Sequence, residues 1–109
     1  MALMQIPISN GDANFSEKVE LNGVTYLLRF RWNDRLTQYT MDVCRADGTV
    51  IAAGLPLESG WFTTARFIGR VAGLPDGLFL PNDNQGTGLS PTIENFGKAV
   101  SLLYIEAVQ

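Results

Sequence analysis

Histidine is absent from this chain, and cysteine occurs once, at position 44. These gaps remove the nucleophile-and-base pairs built on imidazole or thiolate, together with the usual zinc and iron ligand sets. One thiol can form no internal disulfide. Cys44 lies in a strand pattern with no imidazole to activate it, so it reads as a small buried hydrophobe in a reducing compartment. No apolar run approaches the roughly 18 residues of a membrane-spanning helix, and Met1 to Ser9 lack the basic flank and long apolar stretch of a signal peptide. Synthesis in the cytoplasm with no membrane partner is therefore expected, and the sequon Asn14-Phe15-Ser16 reads as chance. Charge is sparse as well: eight Lys and Arg stand against eleven Asp and Glu, for a net charge of −3. That balance argues against nucleic acid as a specific partner. Repeats and low-complexity runs are also missing.

What the chain does have is period-two alternation, concentrated between Phe15 and Cys44. Asn22-Gly23 separates two alternating runs and signals a hairpin, because a type I′ turn needs positive φ at both central residues. In the second run Val24, Tyr26, Leu28, Phe30 and Trp32 share one face, and Thr25, Leu27, Arg29 and Arg31 share the other. The first face is expected in the core and the second at least partly wet. Before the turn, Phe15, Val19 and Leu21 alternate with Ser16, Lys18 and Glu20, with Glu17 on the apolar phase. After the turn at Asn33-Asp34-Arg35, a third strand sets Tyr39, Met41 and Val43 inward against Thr40, Asp42 and Cys44. Asp47-Gly48 closes a further turn into a fourth strand over Thr49 to Gly54, whose small residues suggest a bulge or a close backbone approach.

The flanks are less regular. Residues 1–14 form an N-terminal arm whose Gln5-Ile6-Pro7-Ile8 suits an edge strand or an extended, docking segment, since Pro7 removes a donor. Residues 15–109 are then a single β domain of the size that buries its own core. Leu55-Pro56-Leu57 and Ser59-Gly60-Trp61-Phe62 read as a connection with apolar anchors. Residues 63–71 fit a short helix or a strand, Leu78-Phe79-Leu80 a short strand, and Asn82 to Ser90 a polar, glycine-rich loop. Lys98 to Ala107 is apolar almost throughout, as in a strand covered on both faces. The class expected is all-β, a small antiparallel barrel or sandwich of about six strands with long connections.

Candidate chemistry is thin. Asp34 with Asp42, or Glu17 with Glu20, could act as acid and base; the plainer reading has Asp34 capping a turn and Asp42 and Glu20 on a solvated face. Asn82-Asp83-Asn84-Gln85-Gly86 lacks the alternating acids and distal glutamate of a calcium loop, and Gly86-Thr87-Gly88 lacks the lysine of a phosphate loop. No cofactor or metal is expected. Arg29 and Arg31, with Trp32 and Tyr39 nearby, could stack and track a single-stranded nucleic acid or bind an oligosaccharide, or the arginines could pair with acids across strands. Trp61, Phe62 and Phe79 are either core plugs or anchors for a partner.

The order of these pieces resembles the small baseplate plug family of contractile-tailed phages. The resemblance rests on Gln5-Ile6-Pro7-Ile8, on Phe15 followed by Val19 to Arg29, on Arg31-Trp32-Asn33-Asp34, on Tyr39 to Val43, on Asp47-Gly48 leading to Gly54-Leu55-Pro56-Leu57, and on Val100 to Ile105 at the close. It implies a non-enzymatic virion protein near the hub of the tail baseplate. Its partners would be other tail and baseplate proteins, in a symmetric ring, and no catalytic residues come with it. Interface candidates are Ile6, Pro7, Ile8, Trp61, Phe62, Phe79, Asn84 and Gly86.

Overall fold

A computed structural model describes residues 3–9, 11–21, 23–60, 63, 73, 77–84, 86 and 90–106. Among these residues alternation turns into seven strands: β1 (Leu3–Ile6), β2 (Asn14–Leu21), β3 (Val24–Asn33), β4 (Gln38–Arg45), β5 (Val50–Pro56), β6 (Gly77–Asp83) and β7 (Val100–Glu106). Among the described residues there is no helix. Strand pairing is antiparallel throughout, in a four-stranded sheet of order β2-β3-β4-β5 and a three-stranded sheet of order β1-β7-β6. The sheets do not close on each other, so of the two architectures expected the sandwich is the one found. The strand beyond the expected six is β1, formed by the proline-bearing N-terminal segment.

The four-stranded sheet is a meander whose turns fall where the sequence places them; the φ expected of Asn22 lies outside the described residues. Leu21 pairs with Val24 across a two-residue loop, and Gly23 in that loop has φ +79°. Between β3 and β4 Asn33 Oδ1 accepts the Leu36 N–H at 3.1 Å, and the turn ends on Thr37 in the left-handed region at φ 48°. Between β4 and β5 Asp47 Oδ1 accepts the Thr49 N–H at 2.9 Å. Tyr26, Leu28 and Phe30 of β3 and Tyr39, Met41 and Val43 of β4 are buried on the inner face. Val24 shares their phase but is half exposed, because it sits where the strand leaves the turn.

Tyr104, Leu102 and Val100 of β7 and Phe79 of β6 face the same interior, joined by Ile6 of β1. Within the four-stranded sheet Phe15 stacks on its cross-strand partner Phe30 at 4.7 Å, and within the three-stranded sheet Phe79 meets Tyr104 at 5.0 Å. Phe96, from the connection before β7, enters edge-on against Phe30 at 5.8 Å. Among the described residues one apolar cluster spans both sheets, and neither has a separate core there. In β7 the outward phase is also covered, with Ser101 buried and Leu103 and Ile105 half-buried, as its unbroken apolar character predicts.

Two stretches of chain fasten the sheets to each other. Leaving β1, the chain crosses to β2 and is held there by Tyr39, whose hydroxyl donates to Asp12 O at 2.5 Å, and by the Trp32 N–H, which donates to Ala13 O at 2.8 Å. Leaving β5, Leu57 N–H reaches Tyr39 O at 3.0 Å; Gly60 and Thr63 then donate to Pro81 O and Phe79 O at 3.0 and 2.9 Å. That connection thus covers the outer edge of β6. The helix-or-strand segment at 63–71 lies, Thr63 apart, outside the described residues.

Candidate interaction surface

The outer face of the four-stranded sheet corrects one expectation. Asp42 faces outward in register with Arg29, yet it is buried at 5% exposure instead of lying on a solvated surface. A buried carboxylate needs partners, and Asp42 has two. Oδ1 accepts the Gly54 N–H at 2.8 Å, and Oδ2 lies 3.1 Å from the Arg31 guanidinium. Beside it Cys44 is fully buried, and that burial pushes its thiol pKa up; Arg29 and Arg31 oppose the rise and Asp42 adds to it. A thiol so held is a packing group.

The same register separates the parts of a nucleic-acid platform. Trp32 and Tyr39 pair edge to face at 5.1 Å on the inner side, whereas Arg29 and Arg31 project from the outer side. Rings and arginines are on opposite faces and cannot serve one strand of bases. The carboxylate pairs are also divided: Asp34 accepts the Trp32 indole N–H at 2.7 Å in the turn while Asp42 is engaged in the sheet, and Glu17 and Glu20 lie on opposite faces of β2.

Burial pushes the Tyr39 pKa up, and Asp12 adds to the shift. Tyr26 is likewise raised by burial, with Arg45 opposing. Asp47 is held below the usual carboxylate value, first by the Thr49 backbone N–H and then by the Thr49 side chain.

Of the interface candidates, Ile6 and Phe79 are in the core at 1% and 0% exposure, so their side chains are covered by this chain itself. Trp61 and Phe62 lie outside the described residues. The other four are gathered by the register of β7. Ile6 and Pro81 both stand opposite Leu102, so the chain beyond β1 (Pro7, Ile8) and the chain beyond β6 (Asn84, Gly86) leave the same end of the three-stranded sheet, on either side of β7. Pro7, Asn84 and Gly86 are exposed there and Ile8 is half-buried. Ile8 lies against the backbone at Gly97, where an added Cβ would come within 3.2 Å of its side chain. Asn84 is rigidly placed: its N–H reaches Ala99 O at 2.8 Å, and its amide donates to Lys98 O and Ser101 Oγ, each at 3.0 Å. What this end can do chemically is present backbone and small polar groups on a fixed frame, the property of a docking surface.

Sequence reasoning missed Phe96 and the burial of Asp42. Phe96 sits in a polar turn held by the Thr92–Asn95 hydrogen bonds of 2.7 and 3.2 Å, where no periodicity surrounds it. An aromatic between Asn95 and Gly97 was the available signal.

A family model described as Cyanophage baseplate Pam3 plug gp18 matches residues 3–107, nearly the whole chain. No curated protein matches.

Proposed function

This chain belongs to the family of the cyanophage baseplate Pam3 plug gp18, and from that premise we propose that it packs near the central hub of a contractile-tail baseplate through protein–protein contacts. Membership makes it a structural protein of the phage tail baseplate, with other baseplate proteins as partners. In this reading it is made in the host cytoplasm, works without catalysis, and takes its place in a symmetric ring with the end of the three-stranded sheet at Pro7, Ile8, Asn84 and Gly86 among its contacts. The observation that carries the proposal is the family match over residues 3–107. The register that brings Pro7 and Ile8 to the same end as Asn84 and Gly86 gives it a surface.

The test is a density map of purified tails together with tails assembled on a Pro7→Glu chain. The expected outcome is density for this chain beside the hub and reduced incorporation of the variant, whose isolated fold should be unchanged because Pro7 is exposed. Tails that lack the chain, or that hold it away from the hub, would overturn the proposal.

A further inference from the structure

We infer that the free edge of β1 is a strand-addition site, paired in the assembled baseplate by an extended segment of a different protein. The inference rests on the reading that this chain is a baseplate subunit, and it says how that subunit is gripped.

An open sandwich of two sheets has four strand edges, each a row of unpaired N–H and C=O groups that invites another chain. Three are guarded here. The β2 edge carries Glu17, Lys18 and Glu20 on both of its faces. The β5 edge is broken by register shifts opposite Met41, Val43 and Cys44, by Gly54 at φ +69°, and by Pro56. Along β6 the outer edge already accepts hydrogen bonds from Gly60 and Thr63, and Pro81 has no N–H to offer. The β1 edge has none of these devices. Leu3, Met4, Gln5 and Ile6 carry no charge and pair with β7 in unbroken register, and among the described residues no backbone group pairs with the other side of β1.

The side chains say what would fit. Leu3, on the outward phase, is 65% exposed, and Met4, on the inward phase, is packed against the core cluster but only partly covered, so the rim between the sheets is incompletely closed at Met4. An added strand with apolar residues at alternate positions would set them beside Met4 and Ile6 and close that rim, while its backbone completes the ladder. A second copy of this chain fits poorly. In-phase antiparallel registers of β1 with itself, either Leu3 opposite Gln5 or Met4 opposite Ile6, pair only three of the four residues Leu3–Ile6 with one another. A longer heterologous segment uses the full edge.

The experiment compares Met4→Pro and Gln5→Pro. Adjacent residues of an edge strand direct their N–H groups to opposite sides, so one substitution breaks the ladder to β7 and the other removes a donor from the free edge alone. The variant that keeps the parent's denaturation midpoint should enter tails about tenfold less well, the loss expected when backbone pairing at a bound strand is broken. If both variants unfold, hydrogen exchange on the parent decides. Alternate amides within residues 3–6 should exchange freely in the isolated chain and be protected in the tail, with density for another protein's strand about 4.8 Å from β1. A chain present at the hub with the β1 edge bare, or covered by its own residues, overturns the inference and leaves the baseplate reading standing. So does a β1 paired to a second copy. A chain missing from the tail removes both.

Discussion

The two sheets are built in opposite ways from one chain. The four-stranded sheet uses consecutive residues 14–56, each strand reversing into the next through a short turn. The three-stranded sheet joins the chain's two ends, with Leu3 opposite Ile105, and takes its third strand from after a long connection. Closing a loop that long costs more entropy than closing a hairpin, by about 0.6 kcal/mol for each doubling of length, and no local turn offsets it. The difference teaches that the meander can form first as a platform, and that the second sheet assembles on the apolar face the meander presents. Because the large buried side chains among the described residues belong to one cluster, the second sheet depends on the first for its core.

That hierarchy can be broken most directly in the core. Leu28→Ala in β3 and Leu102→Ala in β7 each remove a fully buried side chain and should each cost about 2–5 kcal/mol. Chemical denaturation followed by near- and far-UV signals should show one coincident transition in both variants. Two separate transitions in Leu102→Ala would mean that the sheets are independent units. Thr25→Ala, on the exposed phase of β3, should lie within about 0.5 kcal/mol of the parent.

The next effect sharpens the contrast between turn and sheet. Gly77 opens β6 where an added Cβ would lie 2.5 Å from the Tyr104 hydroxyl and 2.6 Å from Ile105 O. Gly77→Ala should therefore cost about 1–3 kcal/mol by overpacking. Gly23→Ala meets no atom within 4 Å and is opposed only by its φ of +79°, a cost of about 1 kcal/mol. Thermal midpoints in that order check the assignment; equal losses would mean β6 shifts freely against β7. Gly86 also has positive φ, at 71°, and its surroundings are as open, so the Gly23 turn holds no conformational distinction over that loop.

The smallest effect is electrostatic and confined to the meander. Asp47 is held below its ordinary value of 3.8 by hydrogen bonds from Thr49. A carboxyl whose folded pKa is depressed stabilises the fold above its unfolded pKa and loses that contribution as pH falls through the folded value. The parent should thus be slightly more stable than Asp47→Asn at neutral pH, and the gap should vanish on acidification below that range. A gap that widens in acid would reverse the assignment.

The meander was legible because its signals are local. Asn22-Gly23 and Asp47-Gly48 sit between alternating runs; the first is followed by unbroken register between β2 and β3, while beyond the second the β4–β5 register shifts. The pairing of β1 with β7 has no such punctuation, and only the chain's apolar ends hint at it. Asp42 falls on the outward phase, which by itself predicts a solvated carboxylate, since sequence periodicity reports faces and is blind to what covers them. At the candidate surface Pro7, Asn84 and Gly86 could be singled out as polar or proline-bearing loop positions. That they share an end follows from Ile6 and Pro81 both meeting Leu102, a coincidence of register beyond the reach of any local pattern.

The crossing between the sheets gives the molecule a mechanical character. A pull along residues 3–6 acts in shear on the ladder to Leu102–Ile105, where several hydrogen bonds must yield together. Tension that reaches the crossing passes at Asp12 and Ala13 to Tyr39 and Trp32, side by side in the middle of the other sheet. Anything that tugs the N-terminal strand therefore tugs both sheets as one body, and the hinge that an open sandwich would otherwise have is braced on this side by the Tyr39 phenol and the Trp32 amide.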